Sequence, residues 1–314
     1  MSQERMIGCL AGLAVGDAVG TTVEFRPKGT FKPVVDMVGG GPFDLEPGQW
    51  TDDTSMALCL AESLIQRRGF DARDQMERYC RWWREGHWSV TGKCFDIGAT
   101  VSAALLKFER TGEPFSGSIS PGTAGNGSLM RLAPIPMFCH TNALGREVTA
   151  QMARDSSRIT HGAPECLDAC EALALLLYDL LDGTPRDEAL QQLKRHPLES
   201  PGVQRIIEGS YLGKTAANVW ASGYVLQTLE AALWSFHTTE NFRDAILAAV
   251  NLGEDADTTG AVCGQIAGAC YGVSGIPIEW LDRLAMRAEL ETMALQLSVR
   301  ISPQNAGDSE QHPV

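Results

Sequence analysis

Apolar residues near the start of the chain recur with helical spacing, and small residues fill the gaps. Met6, Ile7, Leu10, Leu13 and Ala14 predict a helix over 5–19. Met56, Leu58, Leu60, Leu64 and Ile65 predict a second over 55–67. The same 3–4 periodicity marks 72–84 (closed by Trp82 and Trp83), 96–109, the leucine-rich 164–181, and 223–236, 241–250, 258–272 and 278–297. Strand patterns are almost absent, and only 32–38 reads as a short extended piece. The expectation is an all-α fold of about ten or more helices in one compact domain over 1–300. No Pro/Gly/Ser linker or fixed repeat divides it. Residues 301–314, polar and with two prolines, read as a frayed tail.

The chain has 314 residues, with 26 Lys+Arg against 39 Asp+Glu and a formal net charge of −13. That balance argues against nucleic acid as a partner, because phosphate binding needs clustered basic residues. Uninterrupted apolar runs are short, as at 172–178, against the roughly 18–20 residues of a membrane span, so no membrane is expected. The polar start carries no signal-peptide pattern. Nine cysteines include no C-x-x-C pair and read as reduced core thiols of a cytoplasmic protein, expected to be a monomer. Cys166 and Cys170 stand four apart, but no further Cys or His at zinc spacing joins them.

Unusual chemistry gathers in loops, at 39–42, 47–54, 116–128 and 253–258. Two of them end in acidic residues at a predicted helix start. Thr51, Asp52 and Asp53 precede the helix from 55, and Asp255, Asp257 and Thr258 precede the helix from about 258–260. Asp and Thr are good N-caps, and negative charge there complements the helix dipole. One cap needs one oxygen, however, and adjacent carboxylates repel unless a cation neutralises them. Four carboxylates and two hydroxyls form an oxygen-only set suited to Mg²⁺, Mn²⁺ or Ca²⁺. By residue type alone, a shared cation site and caps on solvated loops both stay open. Gly260, Gly264, Gly268 and Gly272 then fall every four residues. Each Gly costs about 1 kcal/mol in a helix relative to Ala, so this face predicts close packing at the centre.

Taken in order, these residues resemble the ADP-ribosylglycohydrolase family, which includes the dinitrogenase-reductase activating glycohydrolases. The likeness runs from Gly16-Asp17-Ala18-Val19-Gly20 through Val23-Glu24-Phe25 and Trp50-Thr51-Asp52-Asp53-Thr54-Ser55-Met56. It continues with Phe95-Asp96-Ile97-Gly98, Gly125-Asn126-Gly127-Ser128-Leu129-Met130-Arg131 and Thr160-His161. Ser222-Gly223-Tyr224-Val225 and residues 251–260 complete it, over about 6–272 in all.

The resemblance implies a compact all-α fold with a central cleft and two divalent cations, Mg²⁺ or Mn²⁺. It implies Thr51, Asp52 and Asp53 as one ligand group and Asp255, Asp257 and Thr258 as the other. It implies removal of ADP-ribose from a modified protein, foremost from arginine, by hydrolysis of the N-glycosidic bond. Serine-linked or O-acetyl ADP-ribose, and a non-enzymatic crystallin-like member of the same fold, are the alternatives. A metal-dependent hydrolase of another nucleotide or phosphoester is a third.

Glu24, by itself a surface carboxylate beside Arg26, becomes the implied proton relay, and Asp96, by itself an N-cap, joins it near the cations. Asp17 reads as structural, bonding backbone near the cleft. The loop holding Thr123, Gly125, Asn126, Gly127 and Ser128 reads as a flexible turn whose amides suit a diphosphate. It lacks a P-loop lysine. His161 is implied near the bound ligand. Tyr224 is open between adenine stacking and the core. Trp82, Trp83 and Trp88 read as packing residues.

Overall fold

Residues 2–301 are described by a computed structural model, and helices joined by loops are the regular elements within them. The helices are α1 (Ser2–Gly20), α2 (Asp52–Arg67), α3 (Ala72–Glu85), α4 (Ala99–Thr111), α5 (Pro134–Thr141), α6 (Gly145–Arg158) and α7 (Pro164–Asp182). They continue as α8 (Arg186–Lys194), α9 (Pro201–Ile207), α10 (Val225–His237), α11 (Phe242–Val250), α12 (Ala256–Tyr271), α13 (Ile278–Arg283) and α14 (Arg287–Leu297). Only isolated β-bridges occur among the described residues. The all-α expectation is met. Residues 302–314, most of the tail expected to fray, lie outside the described residues.

α1 and α12 form the axis of the fold. They run antiparallel, backbone against backbone, with Gly8 facing Gly268, Gly12 facing Gly264 and Gly16 facing Gly260. A Cβ built at Gly264 would lie 2.0 Å from the carbonyl oxygen of Gly12, and one at Gly16 would lie 2.0 Å from that of Gly260. The glycine face predicted on 258–272 is therefore half of a pair. The other half, Gly8, Gly12, Gly16 and Gly20 on α1, repeats with the same period of four.

α1 also corrects one expectation. Gln3–Val23 is long and apolar enough to cross a membrane by length and composition, which short uninterrupted runs had concealed. Glycine and alanine carry that apolarity. The fold spends it on packing, with 89% of the most apolar window buried inside the molecule. Around the axis, one cluster of buried side chains joins α1, α7, α10, α11 and α12, and a smaller one joins α2, α3 and α4 around Tyr79 and Trp82. All nine cysteines are free thiols.

Three predicted elements differ from the structure. Residues 32–38 form no strand. Instead the Asn251 side chain pairs with Val34, its Oδ1 accepting from the backbone N–H at 2.7 Å and its Nδ2 donating to the carbonyl at 2.9 Å. The helix expected from 96 begins at Ala99, because Asp96 sits at φ +59° and cannot belong to a helical turn. The helix expected over 278–297 is two, α13 and α14. It breaks where Met286 adopts φ +53° and the Ala285 N–H donates to Gly48 across the gap at 3.0 Å.

Candidate active site

α2 begins at Asp52 and α12 at Ala256, so Asp52, Asp53, Asp257 and Thr258 lie inside first helical turns rather than before them. Thr51 precedes α2 but does not cap it with its own side chain. The cap comes from α1. Asp17 Oδ1 accepts from the Thr51 N–H and hydroxyl, both at 2.9 Å, and Oδ2 accepts from the Thr54 N–H at 3.1 Å and hydroxyl at 2.6 Å. Both oxygens of Asp17 are thereby occupied, which makes it the bracket between α1 and α2.

The carboxylates of Asp17, Asp53 and Asp257 present oxygens within 4.8 Å of one another, and so do those of Glu24, Asp96 and Asp257. The Thr51 hydroxyl stands 2.9 Å from Asp17, 3.1 Å from Asp53 and 3.3 Å from Asp257. It has one proton for three carboxylates. Asp53 Oδ1, Asp257 Oδ1 and Glu24 Oε2 are buried with no hydrogen-bond partner. An orphaned buried acceptor costs about 1–3 kcal/mol. Oxygen-only ligands, converging and unsatisfied, fit a hard divalent cation. The two distant acidic clusters do meet in one place, and they can hold a metal there.

Burial and mutual repulsion raise these groups. Asp52, Asp53 and Asp257 are held well above the ordinary carboxylate range, first by burial and then by neighbouring carboxylates. Burial, then the charges of Asp96 and Asp255, pushes Glu24 up to about 10. Burial, then Asp255 and Asp17, pushes Asp96 up to about 8.

A pH dependence follows. As pH climbs from 4.5, Glu24 in the unfolded chain releases its proton while the folded protein keeps it until about pH 10. Asp96 behaves likewise between 3.8 and about 8. The folded state binds the extra proton, so its stability falls as pH rises through these windows. We expect the cation-free protein to melt lower at about pH 8 than at about pH 6, with magnesium removing most of the difference. Melting curves with and without chelator measure this, and a cation-free melting temperature that rises between the two would contradict it.

Glu24, Asp52, Asp96, Asp255, Asp257 and Thr258 line a cavity of about 540 Å³ that no lysine or arginine enters. Thr51 and Asp53 lie fully buried behind its floor. Three non-glycine residues on its wall have positive φ: Phe25 (+59°), Asp96 (+59°) and Glu254 (+54°). Such backbone costs about 1–3 kcal/mol per residue and persists only where its surroundings enforce it. Here Phe25 N–H donates to Glu254 at 2.7 Å and Glu254 N–H donates to Arg26 at 2.8 Å, locking the two loops together.

The opposite wall carries Gly125, Asn126, Gly127 and His161. Asn126 Nδ2 donates to Asp255 at 2.6 Å and to the Thr228 hydroxyl at 2.9 Å, tying this loop to the acidic cluster. His161 is 2% exposed, and burial, then the Arg131 charge, lowers its pKa to about 3, so the ring is neutral. Gly125 and Gly127 leave room for it, since a Cβ at Gly127 would lie 2.9 Å from the ring.

Three of the residues expected to bind substrate stand off the wall. The Thr123 hydroxyl donates to the Ser120 carbonyl at 2.7 Å, and Ser128 pairs with the Ser157 hydroxyl at 2.8 Å inside the core. The Tyr224 hydroxyl donates to Glu165 at 2.7 Å, with the ring at the surface before α10. Trp82 is core, as expected, and Trp88 donates to Glu62 at 3.1 Å. Sequence reasoning missed Glu254, Ser222 and Gly223 on the cavity wall, and Arg131 behind it. Glu254 and Ser222 sat inside quoted motifs but drew no attention as single residues.

A family model described as ADP-ribosylglycohydrolase matches residues 1–307. The chain is 46% identical over 297 residues to a Serratia proteamaculans protein named ADP-ribosylarginine hydrolase, covering 94% of this chain and 79% of that one. It is 34% identical over 298 residues to the ADP-ribosyl-dinitrogen reductase glycohydrolase of Rhodospirillum rubrum, covering 92% of each. A solved structure described as an ADP-ribosylglycohydrolase-related protein complex matches with a TM-score of 0.83 at 46% identity, over 95% of this chain and 98% of that one. The acidic clusters had to meet for the sequence resemblance to mean anything, and with that geometry, the whole-chain match and the shared fold in hand, this chain belongs to the ADP-ribosylglycohydrolase family.

Proposed function

We propose that the protein hydrolyses the N-glycosidic bond joining ADP-ribose to arginine side chains of modified proteins. The convergence of Asp52, Asp255 and Asp257 on one cavity, with Asp53 beside Asp257 behind its floor, carries the reading, and two relatives at 44–46% identity are named for this activity. Thr51, Asp52 and Asp53 would hold one cation and Asp255, Asp257 and Thr258 a second, magnesium or manganese. Bound there, the cations supply positive charge that keeps the carboxylates ionised and polarises oxygens brought against them.

The chain's own residues do the rest. Glu24 reaches the cavity with Oε2 free of any partner. It is placed to take the proton of the attacking water and return one to the departing nitrogen, which balances the cleavage. Asp96 stands beside it and shares the proton load, since like charges this close do not both ionise readily. Asn126 steers Asp255, and the small wall of Gly125 and Gly127 leaves space for the ADP-ribosyl group. Thr51 and Asp53, fully buried behind the cavity, are shielded from bulk water.

The test is a protein mono-ADP-ribosylated on arginine, incubated with this chain and magnesium or manganese. Free ADP-ribose is expected, and chelator is expected to stop its release. Serine-linked conjugates and O-acetyl ADP-ribose run in parallel. Release from those alone would reassign the linkage, and no release from any substrate with cations loaded would reject the enzyme reading.

A further inference from the structure

Arg131 is fully buried, and no carboxylate is among its hydrogen-bond partners. It donates to the Gly127 carbonyl at 3.1 Å, the Ser156 carbonyl at 3.3 Å and the Thr160 hydroxyl at 2.7 Å, and its guanidinium lies 4.6 Å from the centre of the Tyr79 ring. A buried cation without a counter-ion is costly to keep. Its contacts lead to His161.

A guanidinium only donates. The Thr160 oxygen therefore accepts from Arg131 Nη2, and its own proton has one neighbour to go to, His161 Nδ1 at 2.9 Å. With the proton on Nδ1 instead, the Thr160 hydroxyl proton would be buried with no other acceptor bonded to it among the described residues. The hydrogen bonds close only when Nδ1 accepts and Nε2 carries the ring proton. The carboxylates across the cavity pull towards a charged ring, and the guanidinium behind it opposes them. Nε2 makes no hydrogen bond among the described residues and faces the gap between Gly125 and Gly127, where a Cβ at either would come within 3.3 Å.

We infer that Arg131 and Thr160 are positioning residues that lock His161 as the neutral Nε2–H tautomer, so that Nε2 offers one donor to an acceptor oxygen of the ADP-ribosyl group. The ligand half of this rests on the functional reading above, and the tautomer half does not. A neutral donor inside an acidic cavity can meet the ligand without pairing with the carboxylates that surround it.

Long-range ¹H–¹⁵N spectra of the full chain, labelled at histidine nitrogens and loaded with magnesium, read the tautomer without substrate. The chain has 6 histidines, and the His161 ring is assigned by its loss in His161→Gln. A protonated Nε2 and bare Nδ1 are expected in the wild type, a mixture of tautomers in Thr160→Val, and recovery in Thr160→Ser. Calorimetry with free ADP-ribose should show affinity falling about tenfold in Thr160→Val and recovering in Thr160→Ser.

A wild-type ring protonated on Nδ1, or on both nitrogens, overturns the proposal without any variant. So does an unchanged ring spectrum in folded Thr160→Val. If the tautomer is as expected but the wild type binds no ADP-ribose, or Thr160→Val binds it as well as wild type, the ligand half fails while the tautomer half stands, and the functional reading is judged separately by release from the arginine-linked substrate.

Discussion

Asp257→Ala is expected to lose cation binding and hydrolysis together, while making the cation-free protein harder to unfold. Asp257 belongs to both carboxylate groups, with Asp17 and Asp53 on one side and Glu24 and Asp96 on the other. Its removal opens both at once. Losing the several kcal/mol of transition-state stabilisation that a cation supplies lowers kcat/KM by about 10³-fold or more. The stability effect has the opposite sign. Asp257 Oδ1 is a buried acceptor without a partner, and burial with like charges holds the group above its ordinary range. Deleting it relieves about 1–3 kcal/mol of that cost, which raises the melting temperature of the chelated protein by about 1.5–4.5 °C. In wild type, magnesium or manganese should raise the melting temperature. In the variant the same titration should leave it flat. Metal analysis, steady-state rates and melting curves read all three effects, and unchanged metal content would remove Asp257 from the ligand set.

Gly264→Ala is expected to destabilise the protein by about 3 kcal/mol or more, although alanine is the better helix former by about 1 kcal/mol. Overpacking wins because the added methyl would lie 2.0 Å from the Gly12 carbonyl oxygen, and helix backbones cannot yield as a side-chain tip can. The helices must separate, and Asp17 on α1 and Asp257 on α12 separate with them. Loss of activity should therefore accompany loss of stability, although the substitution lies well inside α12 and introduces no polar or charged group. Gly69→Ala is the control, since nothing lies within 4 Å of a Cβ there, and it should stay within about 0.5 kcal/mol of wild type. Chemical denaturation of both variants decides the matter; equal midpoints would show that the helix pair can relax.

The parts of this molecule that were legible in the sequence repeat a simple rule over many residues. The period-four glycines of α12 forecast a close helix contact, while the paired acids at two helix starts left a shared cation site and ordinary caps both open, and only the family resemblance implied their meeting. The helices that escaped notice lack such repetition. α5 carries prolines at 134 and 136, and α6 and α8 are largely polar, so apolar spacing alone could not announce them. α9 had a start signal in Ser200 and Pro201, and the Ser200 hydroxyl does accept from the Val203 N–H at 3.4 Å.

Other features depend on groups far apart in the chain. Asp17 caps a helix that begins 35 residues later, and no local pattern displays a cap of that kind. The left-handed backbone at Glu254 is held by its hydrogen bonds with Phe25 and Arg26 in a distant loop, so the sequence around it looks ordinary. Arg131 resembles any other arginine until its burial is known.

Because α1 and α12 meet backbone to backbone along their glycine faces, that contact has no flexible side-chain tips with which to adjust their register. A slip of one residue on either would swing its carboxylates by about 100° around the helix, and sliding a whole repeat of four would carry them about 6 Å along it. Asp17 and Asp257 are thus pinned to a contact with little compliance, whereas the lip of the cavity is drawn from separate loops around Phe25, Asp96, Gly125 and Ser222. Such a division lets what is admitted change by loop substitution while the reacting geometry stays put. One scaffold of this kind can serve several leaving groups, and engineering of linkage preference belongs at the lip.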